Sequence, residues 1–146
     1  MGSLVVPHGG TVYLDSQIIV YTVENHPRYA AALRPLWTAV SSGSVGVLTS
    51  ELTLLETLVV PLRLGDSELV ADFHRVWQQP GTDLMPITRD VLMQAAALRA
   101  ELPSLRTPDA IHCATARLCA CSMFLTNDRA LQRVSDIPVV VLDDVN

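Results

Sequence analysis

Four acids in this 146-residue chain fall where acids can do chemistry: Asp15, Glu56, Asp109 and Asp128. Asp15 ends the short apolar run "TVYLD", and Asp128 follows "FLTN", so both follow strand-like segments. Asp109 opens the helix-like stretch "LRTPDAIHCATARL", residues 105–118. Each aspartate also has a simpler reading as a helix cap or first-turn acid that complements the helix dipole. For Asp109 that reading is weaker, because Thr107 can supply the cap and Pro108 the first helical position. Glu56 has no such alternative. In "ELTLLETLVV" its neighbours three and four residues away are Leu52, Thr53, Val59 and Val60, an apolar stripe on an ideal helix. Glu51, some 140° round, has an easier path to water. A buried carboxylate without a partner costs several kcal/mol and is neutralised, paired or bound to metal. No arginine lies within a turn on that face. Four acids from separate segments that converge on one spot suit a hard divalent cation.

The elements that would have to bring them together can be read in order. "TVYLD" predicts a strand and "SQIIVYTVEN" a helix; "RYAAALRPLWTAVSSG" predicts a helix that ends at Gly43. "VGVLTS" predicts a second strand, then "ELTLLETLVVPLRLG" a helix stopped near Pro61 and Gly65. "DSELVADFHRVWQQ" follows as a helix, "LMPIT" as a strand and "RDVLMQAAALRAEL" as a helix. After the Asp109 helix come the strand "SMFLT", the short helix "DRALQRV" and the strand "PVVVLD". Strands alternating with helices predict an α/β domain on a central parallel sheet of about five strands flanked by helices. Residues 1–10 are expected to form a short leader, and 11–146 a single domain. In such sheets ligands sit beyond the carboxyl ends of the strands, where Asp15 and Asp128 fall.

Composition narrows the chemistry. All ten cations are arginines and lysine is absent, which removes a Walker A loop and Schiff-base chemistry. No G-x-S-x-G or G-x-G-x-x-G occurs. The three cysteines, Cys113, Cys119 and Cys121, lack the spacing of a zinc site and suit thiols in a reducing compartment. No apolar run reaches the roughly 18 residues of a membrane span, and the first residues do not resemble a signal peptide, so the expected location is cytoplasmic. The net charge of −5 with scattered arginines argues against a basic nucleic-acid patch.

Four motifs change that reading. "VYLDSQIIVY", "TSELTLLETL", "LRTPDAIHCATA" and "FLTNDRALQRV", in this order and spacing, resemble the PIN-domain family, and within it the VapC-type ribonuclease toxins of bacterial toxin–antitoxin pairs. The resemblance covers nearly the whole chain from Thr11 to Asp143. It implies a single PIN-like nuclease domain whose acidic quartet is Asp15, Glu56, Asp109 and Asp128. Ser16, Thr107 and Asn127 fall on the polar positions that support it. It also implies Mg²⁺ or Mn²⁺ as cofactor, single-stranded or structured RNA as substrate, an antitoxin protein that blocks the site, and a homodimer. Asp15 and Asp109 are expected as direct ligands, with Glu56 and Asp128 holding a second ion or metal-bound waters. Ser16 and Asn127 would orient a water or phosphate oxygen. The charge objection then softens: with the quartet set aside, ten arginines face eleven acids, and Arg106, Arg129 and Arg133 stand near the motifs.

A second reading is a PIN-fold binding module with an idle metal site. A receiver or phosphatase domain also gathers aspartates, but a receiver needs a lysine and the D-x-D-x-T motif is missing. His112, Trp37, Trp77 and Tyr29 read as packing or hydrogen-bonding residues, and Asp143 and Asp144 as a solvated end. Carboxylates crowded without metal repel one another, so Glu56→Gln and Asp109→Asn are expected to raise the melting temperature of the metal-free chain.

Overall fold

The computed structural model describes residues 2–145. Five strands, β1 (Thr11–Leu14), β2 (Gly46–Ser50), β3 (Thr82–Met85), β4 (Met123–Thr126) and β5 (Val139–Val141), form one sheet in the order β3-β2-β1-β4-β5. Every pairing in it is parallel. Six helices connect and cover it: α1 (Ser16–Val23), α2 (Tyr29–Ser41), α3 (Leu52–Arg63), α4 (Ser67–Gln78), α5 (Arg89–Glu101) and α6 (Thr107–Leu118).

The central strands are short and apolar because both faces are covered. Val12 and Leu14 point into a core built with Ile18, Ile19, Leu33, Leu36 and Phe73, under α1, α2 and α4. Tyr13 and Phe124 point the other way, stacked on each other with ring centroids 4.8 Å apart, into the core under α5 and α6. Alternation along β1 thus feeds two cores, one on each face. Residues ahead of β1 are drawn into this packing: Leu4 is buried in the first core, and the Gly9 N–H donates to the Ser44 carbonyl at 2.9 Å.

Several boundaries follow the local signals. α2 ends at Ser41, and Gly43 two residues on takes φ +77°, a conformation that costs glycine little. α3 ends at Arg63, between Pro61 and Gly65 as expected, with Pro61 carried inside its last turn and Leu64 as the cap. The "DRALQRV" segment forms a 3-10 turn, Arg129–Arg133, and the chain after β5 ends in another, Leu142–Val145.

The strand order reverses between β1 and β4. β2 and β3 build outward on one side of β1, and β4 and β5 on the other. A crevice therefore opens past the carboxyl ends of β1 and β4, where diverging crossovers leave the sheet edge uncovered. Leu14 and Leu125 pair in register there, and the Asp15 N–H donates to the Leu125 carbonyl at 3.0 Å. That bond sets Asp15 and the β4 exit side by side.

Candidate active site

A cleft of about 260 Å³ occupies this crevice, lined by Asp15, Ser16, Gln17, Tyr21, Glu56, Arg106, Asp109, Asn127 and Asp128. All four acids singled out in the sequence face it. So do Ser16 and Asn127. Thr107 does not: it is the first residue of α6 rather than its cap, it is exposed, and its hydroxyl accepts from Arg99 Nη1 at 2.9 Å. The cap position belongs to Arg106, whose side chain makes no capping bond.

Capping and site roles coincide at two of the acids. Asp15 caps α1 through Oδ1, which accepts from Ser16 N at 2.8 Å. Its Oδ2 accepts from the Thr126 hydroxyl at 2.6 Å. Asp128 caps the following 3-10 turn by accepting from Ala130 N at 2.9 Å. Asp109 caps nothing; it lies in the first turn of α6 and pairs with Arg106 Nε at 3.2 Å. Arg106 is largely in solvent, so that pair is worth little by itself.

Thr126 ties two of the acids together. It is fully buried, donates to Asp15 and accepts from the Asp128 N–H at 3.0 Å. Thr126→Val keeps the shape but deletes both bonds and leaves the Asp128 N–H unpaired. We expect a loss of about 1–3 kcal/mol, read by urea denaturation. A Val variant as stable as the wild type would mean that Thr126 organises nothing there.

Glu56 is where the structure departs most from expectation. It is not sealed into an apolar stripe: its side chain is 30% exposed, and Val59 and Val60 beside it are 40% and 55% exposed. The outer face of α3 is apolar yet uncovered, which no local periodicity reveals. The partner Glu56 lacked within α3 comes from α6, where His112 Nε2 lies 2.6 Å from its Oε1.

Charge strain is visible at Asp15, the acid the melting expectation did not single out. Glu56 has His112 and Asp109 has Arg106 as hydrogen-bond partners. Burial pushes the Asp15 carboxyl above its usual range; the bonds from Thr126 and Ser16 oppose that rise, and the nearby charge of Asp109 adds to it.

The sequence reading also missed contacts around the cleft. Asn127 Nδ2 donates to the Tyr21 hydroxyl at 3.2 Å, and Asn127 Oδ1 accepts from the Asp143 N–H at 2.9 Å. Asp143 is thus no free end: its carboxylate accepts from the Tyr29 hydroxyl at 2.6 Å and lies 3.3 Å from Arg28. These bonds lower its pKa, with the Tyr29 hydroxyl the largest contributor. Of the arginines near the motifs only Arg106 lines the cleft; Arg129 pairs with Asp144 at 2.6 Å and Arg133 donates to Ser104 at 2.6 Å. The cysteines are free, and burial pushes the Cys113 thiol up to about 12, far from a thiolate nucleophile.

The donors in this cleft are carboxylate, amide and hydroxyl oxygens, the kind a small hard divalent cation takes. A cation beside Asp15 would also relieve a carboxylate that burial and Asp109 make costly to ionise. Among the described residues no group of three Asp, Glu, His or Cys side chains is placed to hold one ion. Mg²⁺ retains several waters and needs only one or two carboxylates, so Asp15 and Asp109 suffice in number.

No curated protein matches the chain in sequence. Solved structures do match in fold. VapBC2 from Rickettsia felis, bound to a DNA fragment from its promoter, is 15% identical with a TM-score of 0.71, over 90% of this chain and 98% of that one. A toxin–antitoxin complex from Klebsiella pneumoniae is 22% identical with a TM-score of 0.65, over 90% and 97%. VapC20 from Mycobacterium tuberculosis, a sarcin–ricin loop cleaving toxin, is 16% identical with a TM-score of 0.60, over 77% and 86%. At these identities the likeness is one of fold. The family model of the PIN domain matches residues 12–137, from the first residues of β1 to the approach to β5 and across every acid in the cleft, and the chain belongs to the PIN-domain family.

Proposed function

We propose that the chain is a Mg²⁺- or Mn²⁺-dependent endoribonuclease and the toxin of a toxin–antitoxin pair, held in check by an antitoxin protein and acting as a homodimer. One observation carries this reading: Asp15, Glu56, Asp109 and Asp128, from four separate segments, line one cleft at the reversal point of a parallel sheet. The similarity in fold to toxin–antitoxin complexes and to a sarcin–ricin loop cleaving toxin supports it.

When bound, the cation would supply charge neutralisation for the phosphodiester and an ionised water near neutral pH. Asp15 and Asp109 would hold it from the ends of β1 and α6. Glu56 and Asp128, facing the same cleft, would anchor waters around it or a second ion. Ser16 sits one residue past Asp15, where its hydroxyl can orient a water or phosphate oxygen. Asn127 is held by Tyr21 and Asp143, so its amide is positioned before substrate arrives. Arg106 is the cation of the cleft rim and would meet an RNA phosphate, releasing Asp109 from its ion pair as it does so.

The second reading, a binding module with an idle metal site, draws on the internal partner that each acid already has. Incubation of purified, antitoxin-free protein with RNA and Mn²⁺, followed by sequencing of the fragment ends, separates the two. Cuts at defined positions are expected, and Asp109→Asn should lose them. Intact RNA at high enzyme concentration with both metals would leave the binding module standing and end the nuclease reading.

A further inference from the structure

His112, 1% exposed, lies behind the cleft against Glu56 of its lining, and the chemistry above makes no use of it. It sits in a path of hydrogen bonds. The Ser50 N–H donates to the Tyr13 hydroxyl at 3.0 Å, and that hydroxyl lies 2.6 Å from His112 Nδ1. His112 Nε2 lies 2.6 Å from Glu56 Oε1. At the Ser50 end, Ser50 Oγ accepts from the N–H of Leu52, the first residue of the helix that carries Glu56.

Proton bookkeeping gives the path a direction. The Glu56 carboxylate can only accept, so Nε2 carries the proton toward it; a neutral imidazole of that tautomer accepts at Nδ1, from the Tyr13 hydroxyl. Burial keeps the phenol protonated by raising its pKa. Each link lies close to an acid: Tyr13 is two residues before Asp15 on β1, His112 is one helical turn after Asp109 on α6, and Glu56 ends the path on α3.

We propose that the Tyr13–His112–Glu56 relay is a positioning device that sets the register of the three elements bearing Asp15, Asp109 and Glu56, with His112 as the residue that aims Glu56 into the cleft. This rests on the nuclease reading for its consequence, but not for its geometry. Without the relay, Glu56 stands on a helix whose outer face is in solvent, and among the described residues no other side-chain hydrogen bond holds its carboxylate. Simple packing is the competing role, and it is indifferent to which nitrogen donates.

Two substitutions separate the roles. The amide nitrogen of His112→Gln reaches where Nε2 stands and can still donate to Glu56. His112→Asn places its amide near Nδ1, keeps the side toward Tyr13 and cannot reach Glu56. Both variants should show native circular dichroism and similar melting temperatures. For His112→Asn we expect kcat to fall and Mn²⁺ affinity, measured by calorimetry without RNA, to weaken, each by about 10- to 100-fold, with KM unchanged. His112→Gln should stay within about threefold of wild type in both. Should the two folded variants behave alike, whether both active or both impaired, His112 does not aim Glu56. The imidazole nitrogen–proton spectrum gives a second arm that needs no metal. It should show one Nε2–H tautomer whose proton moves upfield in Glu56→Gln, and an Nδ1–H tautomer or an unmoved proton overturns the relay. A wild type that binds no Mn²⁺ and cuts no RNA sinks the nuclease reading, and the relay is then decided by that spectrum.

Discussion

Asp15→Asn should remove RNA cleavage, by about three orders of magnitude, and at the same time raise the melting temperature of the metal-free chain at neutral pH. The first effect follows from the position of Asp15 at the sheet reversal, where a lost charge on the metal site costs about 4 kcal/mol of transition-state stabilisation. The second follows from its surroundings. Burial and the charge of Asp109 push the Asp15 carboxyl above its ordinary value of 3.8. Between that value and the raised one, the folded chain holds more protons than the unfolded chain. Stability from the retained proton is therefore full below the unfolded pKa and is lost as pH rises through the folded one. At neutral pH the metal-free wild type carries the ionised group at a cost, and the Asn variant does not. Asparagine keeps one local bond and reverses the other: Oδ1 can accept from Ser16 N, while Nδ2 can donate to the Thr126 hydroxyl, whose own hydrogen loses its acceptor and offsets part of the gain. Melting curves in EDTA at about pH 7 and about pH 4 should show the variant ahead at the higher pH, with the gap closing at the lower. A variant that melts below wild type in EDTA at neutral pH would place no strain at Asp15, and one that still cleaves RNA would displace it from the site.

The other large effect is expected from metal removal. EDTA should abolish cleavage and added Mg²⁺ or Mn²⁺ should restore it, since charge neutralisation and an ionised water both come from the cation. The same cation should stabilise the wild-type fold, by roughly 2.7 kcal/mol at a hundred times its Kd, because it binds only the folded cleft. The Asp15→Asn, Asp109→Asn double variant should show no such gain, although it melts higher than wild type in EDTA. A response in one protein and none in the other is hard to produce by general salt effects, which would shift both alike. Cleavage that survives chelation in protein free of contaminating nuclease would overturn the metal mechanism.

Much of the fold and part of the site could be read directly from the chain. Strand and helix alternation is a local property, carried by runs such as "VGVLTS" and punctuated by Gly43 and Gly65, so the parallel sheet followed from it. Asp15 and Asp128 could be placed because they lie one and two residues past β1 and β4, and a strand end has a known side of the sheet to face. Asp109 was ambiguous between cap and site, and the structure removes the cap by giving that position to Arg106.

What tertiary structure decided concerns residues whose environment another segment provides. The spacing around Glu56 describes an apolar face, but only packing determines whether a face is covered, and that face of α3 is largely in water. The partner of Glu56 lies 56 positions away on α6, and the Tyr13 hydroxyl that meets His112 lies 99 positions away on β1. Thr107 matched its motif position yet turns to Arg99, and Asp143 resembled a solvated end yet holds Asn127. Periodicity reports the direction in which a side chain leaves its own element. The group it meets there depends on how β1, α3 and α6 cross, and that is fixed by the two cores on either side of the sheet.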